Sequence, residues 1–199
     1  MLCILCLVGC SNGNATESDA RSKEVLSETY NIGDEIELAG VQFNIYKVED
    51  DSNELYLLAQ TNCAVTTYSD SEREQKYMNE YEGSLIEGQV STVVDSLEDA
   101  GIIVKSAGII DKEDLIELGF DIDGLGGTQY KIGNAPDFLQ NEEHFWVDGY
   151  CKYDTYAWVY CNGILTTKKC EEAYGVRPVM VIDVAEIDKT SEGVNRNIS

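Results

Sequence analysis

The chain carries few side chains with an aptitude for bond-making chemistry, and each has a plainer reading beside the chemical one. Its single histidine, His144, follows Glu142 and Glu143. Any Cys–His or Ser–His nucleophilic site would have to use it, whereas a lone His in an acidic stretch is most simply a solvated surface residue. No Gly-x-Ser-x-Gly, His-Glu-x-x-His or phosphate-loop pattern occurs. With 37 Asp and Glu residues some carboxylate pairs fall close by chance, so glycoside chemistry is admitted without being located. Asp121-x-Asp123-Gly124 has the beginning of a calcium loop but lacks the later oxygen ligands. It reads first as an acidic turn; no cofactor is expected, and a weak calcium site on Asp121 and Asp123 is the alternative. From Phe145 the chain turns aromatic. Trp146, Tyr156, Trp158 and Tyr160 are candidate ligand-binding residues because ring faces stack on sugars, though a stripe on a strand also packs cores. Arg177 lies in an apolar run beside Pro178. Its guanidinium must find carboxylate or carbonyl partners if buried, as a clamp onto a loop or as an anion-binding group.

Charge narrows the partners. Only 14 Lys and Arg oppose the acids, for a formal net charge of -23. Nucleic acid is excluded, since phosphate binding needs a basic surface, and so is charge-driven docking on anionic lipid. Met1 to Gly9 (MLCILCLVG) is apolar, uncharged and too short to span a bilayer. It reads as the end of a secretory signal. Leu7-Val8-Gly9-Cys10 resembles the lipobox of bacterial lipoproteins. That resemblance implies cleavage before Cys10, lipid on its thiol, and a place in the bacterial cell envelope at the outer face of the cytoplasmic membrane. No basic residue precedes the apolar run, so residues 1–9 are read as a truncated signal peptide. Residues 10–28 are the lipidated Cys and a polar tether with almost nothing to bury. A globular domain is expected over residues 29–187 and a frayed tail over 188–199.

Once Cys3 and Cys6 leave with the signal and Cys10 takes lipid, Cys63, Cys151, Cys161 and Cys170 remain, an even number in an oxidising location. Asn162-Gly163 signals a tight hairpin that pairs Cys161 with Ile164 and Thr155 with Cys170. The register favours a Cys151–Cys170 disulfide and leaves Cys63–Cys161 as a second. Zinc-ligand spacing is missing.

The elements that must carry these residues follow from periodicity. Ile36 to Val48 alternates apolar and polar, and Leu55 to Ala59 is a continuous apolar run, so the two form a hairpin about the turn Asp50 to Asn53. Residues 66–83 read as a long Tyr-rich loop. Ser84 to Ala100 is the clearest helix, and Asp111 caps a short one from Lys112 to Leu118. Ile102 to Val104 and Val176 to Val184 read as strands, with fraying from Ala185. The fold class is α+β: a single domain with a mixed or antiparallel sheet, about two helices and long loops.

Tyr174-Gly175-Val176-Arg177-Pro178-Val179-Met180-Val181-Ile182, after a Trp-containing strand and a Gly turn, resembles the C-terminal signature of a domain-of-unknown-function family of bacterial surface lipoproteins. Val41 to Ile45, Leu55 to Ala59 and Tyr81 to Ile86 are similar to that family's opening hairpin and the entry to its main helix. The likeness implies a C-type-lectin-like fold and carries over no functional residue. The sequence therefore reads as a non-catalytic, lipid-anchored surface domain binding an extracellular glycan or protein. An extracytoplasmic hydrolase using acidic residues or His144, or a structural partner in an envelope complex, are the alternatives.

Overall fold

Alternation from Ile36 to Val48 and the apolar run after Asn53 form strands as the periodicity predicts. The computed structural model describes residues 29–122, 129–132, 136–140, 143–161 and 163–190. In it these segments are β1 (Glu35–Leu38), β2 (Val41–Glu49) and β3 (Glu54–Ala59), paired in antiparallel succession. The β2–β3 turn places Asn53 at φ 61°, a left-handed conformation that Asn tolerates. β4 (Ala64–Thr67) follows, then a loop and α1 (Leu85–Asp99). Next come β5 (Val104–Ile109), α2 (Lys112–Glu117), β6 (Phe120–Ile122) and β7 (Gln129–Ile132). β8 (His144–Val147), β9 (Tyr156–Cys161), β10 (Ile164–Lys169), β11 (Ala173–Val176), β12 (Pro178–Asp183) and α3 (Val184–Thr190) complete the order.

The strands divide between two sheets, ordered β1-β2-β3-β12-β5 and β4-β11-β8-β9-β10-β7-β6. All ladders are antiparallel except β11 against β8. The architecture is α+β, with two sheets where the sequence led us to expect one. The β9–β10 register is the expected one: Ile164 faces Cys161, and the Cys170 N–H donates to Thr155 O at 2.9 Å.

The central strands of both sheets are buried on both faces. One cluster joins Phe43, Ile45, Leu57 and Met180 to Trp146 and Val159 under Ile86, Val90 and Leu97 of α1. Each such apolar side chain contributes about 1.5–3 kcal/mol by leaving water. The other joins Leu58 and Val179 to Phe145, Trp158, Tyr160 and Leu165 under Leu115 of α2. Helix α1 touches β5 and β12 of one sheet and β4 and β11 of the other, so it straddles their seam. Its N-terminus is closed by Ser84, whose Oγ accepts from Glu87 N at 3.1 Å, while Glu87 Oε2 accepts from Gly83 N at 2.6 Å.

The chain crosses between the sheets four times, and two of the crossings are adjacent: from β3 to β4, and at Arg177 from β11 to β12. The single strand expected over Val176 to Val184 is thus two strands, split at Arg177. Gly175 lies so close to Asn62 that a Cβ there would run into the side-chain amide. Arg177 is 1% exposed and its Nε donates to Ala59 O, tying one crossing to the other. The rest of its charge faces the Phe145 ring, 5.1 Å from Cζ, and the Glu143 carboxylate. The expected fraying from Ala185 is replaced by α3 through Thr190, which buries Ile187 and holds Ile103 N on Glu186 Oε2 at 3.1 Å. Cys10, Asp123 and Asn162 lie outside the described residues.

Candidate functional site

The sequence-selected aromatics are the core of the molecule. Tyr156, Trp158 and Tyr160 do share a face of β9, but β9 is central in its sheet and that face is packed. Tyr160 stacks on Phe145 with centroids 4.8 Å apart, and its hydroxyl donates to Leu139 O. Trp158 donates from Nε1 to Tyr150 O at 2.9 Å. Trp146 points to the opposite face, donates to Thr66 O at 2.9 Å and meets Tyr68 and Tyr174 edge-on. Only Tyr156 is partly exposed, so these four do not form an open sugar platform. Large aromatic bodies placed on a doubly covered strand are best satisfied inside, with the indole N–H groups bonded to carbonyls. Arg177 takes the clamp reading, at the seam. His144 lies on β8 opposite Cys161, away from the cleft described next. Asp121 stands on β6 opposite Lys131. Among the described residues no three His, Cys, Asp or Glu side chains gather as metal ligands.

All four described cysteines are free thiols. Cys63–Cys161 is excluded as a bridge by the sheet order: β4 and β9 are three strands apart, or about 14 Å, against the ~7 Å limit between Cα atoms. Burial pushes the Cys170 thiol up to about 12, and a charge on Cys151 adds to that rise.

The polar concavity lies elsewhere. Where β5 ends, Asp111 caps α2, its carboxylate accepting from Glu113 N at 2.7 Å. Where β8 ends, Asp148 pairs with Asp111 in a parallel bridge. Asp148 N donates to Ile110 O, and Lys112 N donates to Asp148 O, both at 2.9 Å. One aspartate thus comes from each sheet. They open onto a cleft of about 510 Å³, whose other walls are residues 76–82 and 149–154. Five carboxylates line it (Glu80, Glu82, Asp111, Asp148 and Asp154) against one cation, Lys76.

The walls are held deliberately. Arg73 donates to Ser69 Oγ, Glu80 O and Glu82 O, folding the loop on itself. Asn79 Nδ2 reaches across to Tyr153 O at 3.3 Å and Tyr156 O at 3.2 Å. Gly149 has φ 128°, and a Cβ there would press on Lys112 Cβ at 3.0 Å. Tyr150, 82% exposed, lines the cleft, and Tyr153, 61% exposed, lies on the same loop outside the lining. Burial pushes the Asp111 carboxyl up to about 7, helped by its hydrogen bond with Glu113. Glu113 is held down at about 2 by Asp111 and by Lys112, 2.8 Å away. One proton is shared between the two carboxyls near neutrality. Burial also raises Asp148. The cleft therefore offers hydrogen-bond acceptors, one carboxyl able to donate, and the exposed Tyr150 ring. Of the lining residues, Asp111 was expected from sequence as a helix cap and Cys151 as a disulfide partner, whereas Asp148 and the 76–82 wall belong to no local pattern. No protein-family model, curated protein or solved structure matches the chain.

Proposed function

We propose that this is a lipid-anchored ligand-binding domain of the bacterial envelope, tethered through Cys10, whose site is the acidic cleft at Asp111 and Asp148. Its ligand is a glycan without negative charge. The observation that carries the reading is the cleft itself: about 510 Å³ of open volume, five carboxylates and the exposed Tyr150 ring. Carboxylates accept hydrogen bonds from sugar hydroxyls and amines, and phenol rings offer the apolar face that pyranose C–H groups stack on. An anionic ligand would meet uncompensated repulsion. The lectin-like likeness of the C-terminal signature and the lipobox agree with this role.

Thermal unfolding of the full chain with neutral, amino and acidic oligosaccharides tests it. A ligand at a hundredfold excess over its Kd adds about 2.7 kcal/mol of stability. Stabilisation by neutral or amino sugars, lost in Asp148→Asn, is expected. Stabilisation by acidic sugars alone, or by none, overturns the reading.

One observation favours a second reading, a hydrolase. Asp111 titrates near 7 beside another carboxyl, as a general acid does. If it is correct, Asp111→Asn abolishes turnover of an oligosaccharide while leaving its binding in place.

A further inference from the structure

We propose that a second pocket, where the β1–β2 turn meets the β3–β4 crossing, binds a small uncharged amide carrying a branched aliphatic group. The pocket holds about 300 Å³, at the small end of ligand sites. None of the residues lining it is charged, in a chain whose net charge is -23. Val41, Val93 and Pro178 supply an aliphatic wall, while Gln60 and Thr61 supply an amide and a hydroxyl that donate and accept hydrogen bonds. The exposed Cys63 stands among them, and burial raises its thiol above the ordinary range, so it too is neutral. The cleft at Asp111 and Asp148 shares no lining residue with this pocket, so the inference stands apart from the proposed glycan site.

The walls are fixed before any ligand arrives. Gln60 N donates to Gln42 O and Cys63 N to Val176 O, both at 2.8 Å, so the crossing segment is held at both ends. Arg177 Nε on Ala59 O holds its start. The β1–β2 turn has only two residues, since Leu38 pairs with Val41, and both have positive φ: 48° at Ala39 and 80° at Gly40. That is the pattern of the tightest hairpin turn, whose first position ordinarily takes Asn, Asp or Gly. Alanine there costs free energy, and such outliers gather at ligand clamps. A Cβ on Gly40 would meet nothing within 4 Å, so the turn borders open space. Charge then selects the ligand. An ammonium or carboxylate entering this lining would lose hydration and find no opposite charge. A second copy of the chain would bring another net charge of -23 against the first. An uncharged amide finds its donor and acceptor at Gln60 and Thr61 and buries its aliphatic group on Val41 and Val93.

The test follows labelling of Cys63 in the full chain by N-ethylmaleimide, read by peptide mapping at about pH 6.5, where an α-amine is charged. Three additives share one aliphatic group: N-acetyl-leucinamide is uncharged, leucinamide is a cation, and N-acetyl-leucine is an anion. The uncharged one is expected to slow Cys63 labelling about tenfold at a tenfold excess over its Kd, leaving Cys161 unchanged. The charged two at the same concentration are expected to slow it less than about twofold. Thr61→Trp, a substitution at an exposed position that fills the pocket, is expected to abolish both this protection and the rise in Tm that N-acetyl-leucinamide gives. Equal protection by all three additives, protection by none, or protection that survives Thr61→Trp overturns the proposal. So does a Cys63 that resists N-ethylmaleimide without additive, since the pocket is then closed. The comparison of the three additives on the unsubstituted chain decides the question even if the Trp variant folds poorly.

Discussion

The sheet seam and the acidic cleft are both meeting places of the two sheets, and they are built on opposite terms. At the seam, Gly175 packs directly against Asn62, and Arg177 is tied to Ala59 O and lies against the Phe145 ring. At the cleft, Asp111 and Asp148 are brought together without a cation between them, Arg73 folds one wall on itself, and Asn79 ties that wall to the other. Arg177, 1% exposed, is shut away from solvent and from any ligand. Carboxyls whose charge is discouraged by burial and answered by no basic residue remain open to one.

That contrast can be broken most severely at the seam. Gly175→Ala drives a methyl into Asn62, and Arg177→Ala leaves Ala59 O unpaired in the interior. Each is expected to cost about 3 kcal/mol or more, read from the midpoint of urea unfolding. Retention of the midpoint in both would show that the crossing is not a clamp. At the cleft, Asp148→Asn is expected to lose the roughly 2.7 kcal/mol of ligand stabilisation at a hundredfold excess while changing the unliganded protein by less than 1 kcal/mol. Equal losses with and without ligand would make Asp148 a structural residue.

Smaller effects sharpen the difference. Asp111 binds its proton more tightly folded, at about 7, than unfolded, near 3.9. Its contribution is therefore full below the unfolded value and is lost as pH rises through 7. Glu113 has the opposite sign, with stability present above its ordinary value and lost as pH falls through about 2. Between pH 5 and 8 the Asp111 effect dominates. The protein should gain about 1 kcal/mol on acidification across that window, after allowance for solvent screening. Asp111→Asn should flatten the slope, as followed by Tm against pH. Arg73→Ala is expected to cost a similar ~1 kcal/mol and to speed hydrogen exchange over residues 69–82. Tyr150→Ala should shift stability by less than about 0.5 kcal/mol yet weaken the ligand, the reverse of what a core aromatic does.

How much of this was legible depended on how far apart in the chain the partners lie. Period and caps located α1, the β2–β3 hairpin and the Asp111 cap, because each is decided within a few residues. The Asn162-Gly163 signal fixed the Ile164–Cys161 register for the same reason. The break at Arg177 was hidden: Val176 and Pro178 to Ile182 are uniformly apolar, and only long-range pairing assigns them to different sheets. The aromatic face of β9 was read correctly as one face, but whether it meets solvent depends on strands elsewhere. The cleft joins Asp111 to Asp148 across residues of no local pattern, so nothing in either neighbourhood announced it.

The place of β12 has a consequence for how the molecule comes into being. It lies between β3 and β5, so the five-stranded sheet stays in two unjoined parts until the last strand arrives. Val179 must find Leu58 across most of the length of the domain, and such distant pairings are slow to form. Until Pro178–Asp183 is in place the facing edges of β3 and β5 stay open, and a chain stopped before Pro178 has no route to this structure.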